Sequence, residues 1–207
     1  MLNGDGDNDT LNVSGNGVIA SGGSGNDTFN VSGTAPTLDG GVDDDTLVMT
    51  AYADLSAGTI TGIEHLRLLQ QNEGNRVTLS AAQVNGFADV GTNHVSQTIG
   101  LGVATSGTIG ANFAATLGGY LSLANGDNTV GLSHTSGSWS VDGNNGIDVI
   151  STGSGNDQLN GGNGNDTLNG GSGNDILNGG ADVDTLNGGG GHRHAERWGG
   201  RYAQRRR

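Results

Sequence analysis

The stretch between Gly143 and Gly191 repeats every nine residues, and this repeat constrains the fold more than any other feature of the sequence. Written in nines it reads GNNGIDVIS, TGSGNDQLN, GGNGNDTLN, GGSGNDILN and GGADVDTLN, followed by GGGG. An aspartate fills the sixth position of every unit: Asp148, Asp157, Asp166, Asp175 and Asp184. An aliphatic residue fills the eighth: Ile150, Leu159, Leu168, Leu177 and Leu186. A flexible linker has no reason to keep this spacing, so the stretch is predicted to be folded.

Each unit combines about six residues of turn character with a very short strand. Glycines at the first, second and fourth positions allow positive φ and close approach of neighbouring backbones. In a trio such as T-L-N, the central side chain points to one face and its neighbours point to the other. One buried leucine stabilises the fold by less than the free energy that ordering nine backbone residues costs. The coil therefore needs a further source of stability.

These tandem units resemble the G-G-x-G-x-D-x-U-x repeat of RTX proteins, the hemolysin-type calcium-binding family. The resemblance implies an all-β fold, a parallel β-roll or β-solenoid in which two nonapeptides make one turn. On that fold units two apart stack, which places Asp148, Asp166 and Asp184 in one column. Asp157 and Asp175 form a second column.

Stacked carboxylates of this kind favour a bound cation. Rungs lie about 4.8 Å apart, so adjacent carboxylates repel by roughly 3 kcal/mol per pair at an effective dielectric of about 20. Calcium accepts six to eight oxygen ligands from carboxylates and carbonyls in adaptable geometry. The sequence contains no cysteine and the repeat loops contain no histidine, which disfavours zinc and copper. Several Ca²⁺ ions are therefore predicted.

Residues 1–48 form a second repeat block with a spacing of eighteen. Asp9, Asp27 and Asp45 are the predicted calcium ligands, and an apolar residue follows each of them two places later. The intervening half-turns keep apolar strand residues but lack the aspartate. This block is therefore predicted to carry calcium loops along one edge, whereas residues 143–191 carry them along both.

Residues 49–142 have no nonapeptide ladder. Short alternating stretches such as Val77/Leu79 and Trp139/Val141 are separated by Gly, Asn and Ser. The segment is predicted to be a β-rich spacer that either continues the solenoid or packs beside it. Ser80 is predicted to cap a short helix that begins at Ala81.

Residues 192–207 form an atypical basic tail, HRHAERWGGRYAQRRR, with six of the eight basic residues of the chain. GC-rich codons for G-T-D-T-L-N-G-G, read in another frame, can give G-H-R-H-A-E-R-W. The tail is therefore interpreted as a frameshifted remnant of further repeats.

The composition narrows the range of partners. The formal net charge is −13, and 20 acidic residues precede the tail against 2 arginines. Such an acidic surface disfavours nucleic acid and anionic membranes and favours divalent cations. No stretch approaches 18 uninterrupted apolar residues, so no membrane span is predicted. The first residues do not show the pattern of a signal peptide.

Motifs of catalysis are missing from the sequence. It contains no H-E-x-x-H, no G-x-S-x-G and no P-loop. Carboxylate pairs for glycan chemistry can be assembled from Asp54, Glu64, Glu73 and Asp89, but any acidic solenoid offers such pairs. The chain is therefore predicted not to be an enzyme.

The predicted function is that of a calcium-binding β-roll module in a bacterial secreted or cell-surface protein. The resemblance implies export by a type I secretion machinery and folding outside the cell when calcium binds. One alternative is an adhesin or glycan-binding module that contacts a cell-surface ligand through Tyr52, Tyr120 or Trp139. A further alternative is part of a polysaccharide-modifying enzyme.

Overall fold

The computed structural model describes residues 1–51, 53–68, 77–92, 98–109, 113–114, 117–191 and 193–196. The chain divides into two compact units, Met1–Leu101 (unit 1) and Gly102–Arg207 (unit 2). The fold is all-β, a β-solenoid of parallel strands, as the sequence predicted. The described residues contain no helix that could span a bilayer.

The described residues of unit 1 form ten strands and one short helix. In chain order they are β1 (Leu2–Gly6), β2 (Thr10–Val13), β3 (Ile19–Ser24), β4 (Thr28–Val31), β5 (Thr37–Val42), β6 (Thr46–Met49), β7 (Thr59–Thr61), β8 (His65–Leu68), β9 (Val77–Leu79), α1 (Ala81–Gly86) and β10 (Asp89–Thr92). One parallel sheet has the order β1-β3-β5-β7, and a second has the order β10-β8-β6-β4-β2. Alternate strands therefore belong to opposite sheets, as in a coil with two strands per turn.

The strand β11 (Thr98–Val103) contains the boundary between the units, and the described residues after it form ten strands. They are β12 (Thr108–Ile109), β13 (Gly118–Ser122), β14 (Thr129–Gly131), β15 (Trp139–Asp142), β16 (Val149–Ser151), β17 (Gln158–Asn163), β18 (Thr167–Asn169), β19 (Asp175–Ala181), β20 (Thr185–Asn187) and β21 (Arg193–Glu196). Within unit 2 the even-numbered strands form one parallel sheet and the odd-numbered strands from β13 form another.

Columns of apolar side chains fill the coil. In unit 1, Leu11 pairs with Phe29 and Phe29 with Leu47, one turn of eighteen residues apart. In unit 2, Leu159 pairs with Leu177 across the same interval. All five side chains are buried, because the T-L-N type of strand turns its central residue inward.

The middle segment continues the solenoid with turns of other lengths. Leu47 pairs with Leu66 nineteen residues later, and Leu66 with Val90 twenty-four residues later. In unit 2, Val130 pairs with Ile150 twenty residues later. The prediction of irregular, β-rich rungs is confirmed.

The predicted helix cap is also confirmed. The Ser80 side chain accepts a hydrogen bond from the backbone N–H of Gln83, and the Gln83 side chain accepts one from the backbone N–H of Ser80. This capping box fixes the start of α1 at Ala81.

The backbone of the basic tail follows the repeat for one strand. Arg193 pairs with Asp175 and Glu196 with Asn178, in the eighteen-residue register of the preceding turn. His192 and residues 197–207 lie outside the described residues. The frameshift origin of the tail stays a prediction, as does the division of the chain into residues 1–48, 49–142, 143–191 and 192–207.

Candidate metal centre

The eight predicted ligand residues lie in three columns at the turns of the coil. Each column follows from the register of the strands, because every aspartate directly precedes a strand residue that is paired with a neighbouring turn. The columns are Asp9, Asp27 and Asp45 in unit 1, and Asp148, Asp166 and Asp184 together with Asp157 and Asp175 in unit 2. The predicted stacking of aspartates is thus present.

One carboxylate oxygen of each stacked aspartate joins two turns of unit 2. The backbone N–H of Asp148 donates to Oδ1 of Asp166 at 2.8 Å, and that of Asp166 donates to Oδ1 of Asp184 at 3.0 Å. The backbone N–H of Asp157 donates to Oδ1 of Asp175 at 3.0 Å. Oδ1 is therefore a structural acceptor along both columns.

Unit 1 repeats this bond along one edge. The backbone N–H groups of Asp9 and Asp27 donate to Oδ1 of Asp27 and Asp45, respectively, both at 2.8 Å. At the opposite turns, the Thr34 hydroxyl donates to Oδ1 of Asn16 at 2.8 Å in place of a carboxylate contact. The placement of acidic loops along one edge of this block agrees with the sequence prediction.

The second carboxylate oxygen has no such role. Oδ2 of all eight aspartates is buried and lacks a hydrogen-bond partner among the described residues. Seven of these residues are at most 4 % exposed, and Asp9 is half-buried. A buried carboxylate oxygen without a partner is costly unless a cation or a proton neutralises it.

Glycines leave space open beside these orphaned oxygens. A Cβ atom on Gly161 would stand 2.3 Å from Oδ2 of Asp166 and 2.7 Å from the carbonyl oxygen of Gly179 on the next turn. The same pairing of an aspartate Oδ2 with a carbonyl of the following turn occurs beside Gly4, Gly22, Gly40 and Gly143. Any larger residue would fill the space where these oxygens meet.

Burial is the main electrostatic influence on the columns. Desolvation raises the pKa of Asp45, Asp148, Asp157 and Asp175 above the ordinary value, and raises the pKa of Asp166 to about 6. Repulsion between stacked carboxylates acts on Asp166 in the same direction but is smaller than desolvation. The spacing of the sequence predicts only repulsion between stacked carboxylates. In the structure the loss of solvent is the larger cost, because the aspartates point inward.

Two further residues lie in the columns, and the spacing of eighteen does not predict either of them as a site residue. Glu64 accepts a 2.9 Å hydrogen bond from the backbone N–H of Asp45 through Oε2. Asn128 donates its backbone N–H to Oδ1 of Asp148 at 2.9 Å. Each lies two places before an inward apolar residue, as the eight aspartates do, and this shared offset is the sequence signal that could have found them.

One of the three aromatic residues predicted to contact a glycan ligand, Trp139, is not available for such a contact. Trp139 is only 1 % exposed, packs edge-to-face on Phe113 with ring centroids 5.3 Å apart, and donates its indole N–H to the Thr135 hydroxyl. The prediction of Trp139 as a ligand contact is therefore wrong, because the alternation with Val141 turns it into the core. Tyr120 is half-buried, and Tyr52 lies outside the described residues.

The carboxylates considered for catalysis are separately engaged. Asp89 contacts His65 and Arg67, and although burial raises its pKa, these two partners outweigh burial and lower it. Oδ1 of Asp54 accepts hydrogen bonds from the backbone N–H and hydroxyl of Ser56. Glu73 lies outside the described residues.

The columns fit a hard cation that prefers oxygen ligands. No three acidic or histidine side chains converge within the described residues, so a cation would need main-chain carbonyls as further ligands, and these face the carboxylates. Mixed carboxylate and carbonyl coordination suits calcium. The fold and the columns together define a parallel β-roll with acidic turns.

The comparison with known families is more specific. The family model of the RTX calcium-binding nonapeptide repeat (4 copies) matches residues 142–177 and 161–193. The chain therefore carries RTX calcium-binding repeats in a β-solenoid, which supports a calcium-binding β-roll with Ca²⁺ as its cofactor. Comparisons with curated proteins and with solved structures gave no match.

Proposed function

We propose that this chain is a non-catalytic module of a bacterial secreted or cell-surface protein that folds when it binds calcium after type I export. Asp9, Asp27, Asp45, Asp148, Asp157, Asp166, Asp175 and Asp184 are the proposed side-chain ligands. The observation that supports the proposal is the set of eight buried Oδ2 atoms without a partner in the described part of the chain.

These carboxylates disfavour the folded state in the absence of calcium. Their burial removes water from negative charges, and the raised pKa values record that cost. The core that opposes this cost is thin, because a strand such as Thr167–Asn169 contributes a single inward leucine. Bound calcium would supply positive charge beside the orphaned oxygens, and binding free energy then becomes folding free energy.

Export and location follow from the same balance. A chain that stays unfolded at low calcium remains able to pass a secretion channel, and it folds where calcium is abundant. Extracellular calcium modules commonly bind with dissociation constants of about 10⁻⁴–10⁻³ M. RTX repeats are suggestive of such an extracellular role.

A calcium titration of the full chain tests this proposal, with far-ultraviolet circular dichroism as the readout and magnesium as the control ion. We expect a cooperative change from coil to β-structure with calcium and none with magnesium at the same concentration. Magnesium is a suitable control because it requires octahedral geometry and retains its water. A spectrum that is already β-rich in chelator and unchanged by calcium would contradict the proposal.

A further inference from the structure

The acidic column of unit 1 continues beyond the eighteen-residue repeat. Thr46 pairs with His65 in the parallel register of β6 and β8, so Glu64 occupies the rung position next to Asp45. The interval is nineteen residues, one more than the eighteen between Thr28 and Thr46 in the preceding turn. Glu64 is therefore the fourth acidic residue in the column of Asp9, Asp27 and Asp45.

Glu64 makes the hydrogen bond that defines membership of the column. Its Oε2 accepts the backbone N–H of Asp45 at 2.9 Å, as Oδ1 of Asp45 accepts the backbone N–H of Asp27 at 2.8 Å. The longer side chain thus reaches the same donor from a rung with an altered turn. One carboxylate oxygen ties two turns, as in the aspartate rungs.

The space between these two rungs resembles the spaces within the repeats. A Cβ atom on Gly40 would stand 2.4 Å from Oδ2 of Asp45, and it would clash with the carbonyl oxygen of Gly62. Beside Gly22, the equivalent oxygens belong to Asp27 and Gly40. Gly62 has a positive φ of 58°, a conformation that suits glycine and directs its carbonyl toward this space.

The oxygen at the centre of this space is unsatisfied. Asp45 is 0 % exposed, and its Oδ2 lacks a hydrogen-bond partner among the residues that the structure describes. Desolvation raises the pKa of Asp45, and the charges of Asp27, Glu64 and Asp43 raise it further. Negative charge therefore accumulates around a buried oxygen that faces a carbonyl.

The column ends one rung later. The backbone N–H of Ala88 donates to the carbonyl oxygen of Glu64 at 2.7 Å, which places an alanine at the next rung position. Ala88 offers no side-chain oxygen, so Glu64 is the last acidic residue of the column.

We propose that Asp45, Glu64 and the carbonyl of Gly62 form a further divalent-cation site, suited to calcium, that closes the column of unit 1 outside the nonapeptide repeats. The inference rests on the proposed function, because it assumes that the aspartate columns bind calcium. It adds a ligand residue whose type and spacing lie outside the repeat pattern.

Native mass spectrometry of the full chain during a calcium titration tests this site through the number of ions bound. The variant E64Q removes the charge of Glu64 but keeps an acceptor for the backbone N–H of Asp45. The control D54N makes the same change of charge on an exposed carboxylate and keeps the acceptor for Ser56. We expect E64Q to bind one calcium ion fewer than the wild type, and D54N to bind the same number as the wild type.

The possible outcomes separate this site from the proposed function. An E64Q variant that binds as many ions as the wild type, with the same affinity, would overturn the site while the proposed function stands. Loss of all ions in E64Q would also overturn it, because Glu64 would then support the fold rather than a single ion. A wild-type chain that binds no calcium would overturn the proposed function, and this site with it.

Discussion

The backbone N–H of Asp148 donates a 2.8 Å hydrogen bond to Oδ1 of Asp166, one turn further along the roll. Oδ2 of the same Asp166 side chain is buried and has no partner among the described residues. The two oxygens of one carboxylate therefore differ, since Oδ1 joins turns and Oδ2 is the proposed cation ligand. Substitutions that affect one role and spare the other distinguish them.

The variants D166N and D166A make this separation. Asparagine keeps Oδ1 as an acceptor and removes the charge, whereas alanine also leaves the buried N–H of Asp148 without its acceptor, at a cost of about 1–3 kcal/mol. In calcium we expect both variants to melt below the wild type, D166A the lower of the two. In chelator we expect D166N to retain at least as much β-structure as the wild type, because no buried charge remains at residue 166.

Thermal unfolding in calcium and far-ultraviolet circular dichroism in chelator measure these differences. D142N is a suitable control in residues 49–142, because Asp142 is only half-buried and its Oδ1 can still accept from Asn160. Its melting temperature in calcium and its spectrum in chelator are expected to stay close to those of the wild type. Equal melting of D166N and the wild type in calcium would show that Oδ2 has no cation to hold.

The glycine beside the carboxylate gives an independent prediction. A Cβ on Gly161 would lie 2.3 Å from Oδ2 of Asp166, whereas a Cβ on Gly131 would meet nothing within 4 Å. We expect G161A to weaken calcium binding and lower the melting temperature in calcium, and G131A to change stability by no more than about 0.5 kcal/mol. Isothermal titration calorimetry and thermal melts of both variants measure this, and matching behaviour of G161A and G131A would contradict it.

The spacing of the sequence predicts the columns but not their ends. Counting in steps of eighteen places Asp9, Asp27 and Asp45 correctly, because identical turns stack in register. Glu64 follows a turn of nineteen residues, and Asn128 precedes a turn of twenty. Counting in steps of eighteen therefore misses both residues, although they occupy the same rung position as the aspartates. A change in turn length is visible only when the strands on both sides are paired.

The balance of forces at the site also lies beyond the sequence. Stacking suggests repulsion between carboxylates, but the pKa of Asp166 is raised first by burial. The degree of burial depends on how closely successive turns approach, which no spacing reveals. The burial of Trp139 is a second example, because the side chain is of a type that suits a ligand contact but lies in the core through its place in the strand.

The raised pKa values predict how the metal-free chain responds to acid. The pKa of Asp166 is about 6 in the folded chain against an ordinary 3.8, so the folded state binds the proton more tightly than the unfolded state. Stability contributed in this way is lost as pH rises through about 6 and is gained as pH falls from there toward about 3.8. In chelator, we therefore expect more β-structure at pH 5 than at pH 7.

Circular dichroism of the chelated chain across this pH range, with D166N alongside, measures the effect. His65 contributes in the same direction, because its hydrogen bond with Asp89 is the largest cause that raises its pKa. D166N retains His65 but lacks the titrating carboxyl of residue 166, so its gain at pH 5 should be smaller. A loss of β-structure between pH 7 and pH 5 would contradict the prediction.

Asn128 shows how a rung can close a column without a cation. Its amide oxygen accepts the backbone N–H of Gly107 at 3.3 Å, as Oδ1 does in the aspartate rungs. Its amide nitrogen donates to the carbonyl oxygens of Ala124 at 3.0 Å and Gly126 at 2.6 Å, and to Oδ1 of Asp148 at 2.8 Å. Three oxygens that would repel a carboxylate thus share the two N–H donors of one amide group.

The variant N128D should convert this rung into a cation site. In chelator we expect less β-structure than in the wild type, because a carboxylate oxygen would replace the donor that faces three acceptors. In calcium we expect one additional ion per chain by native mass spectrometry and a partial recovery of the β-structure. The control N145D adds the same charge at an exposed asparagine that contacts Asn125 and should leave the ion count unchanged. An N128D chain that is destabilised equally in calcium and in chelator, with no added ion, would show that the amide closes the rung without standing in the place of a cation.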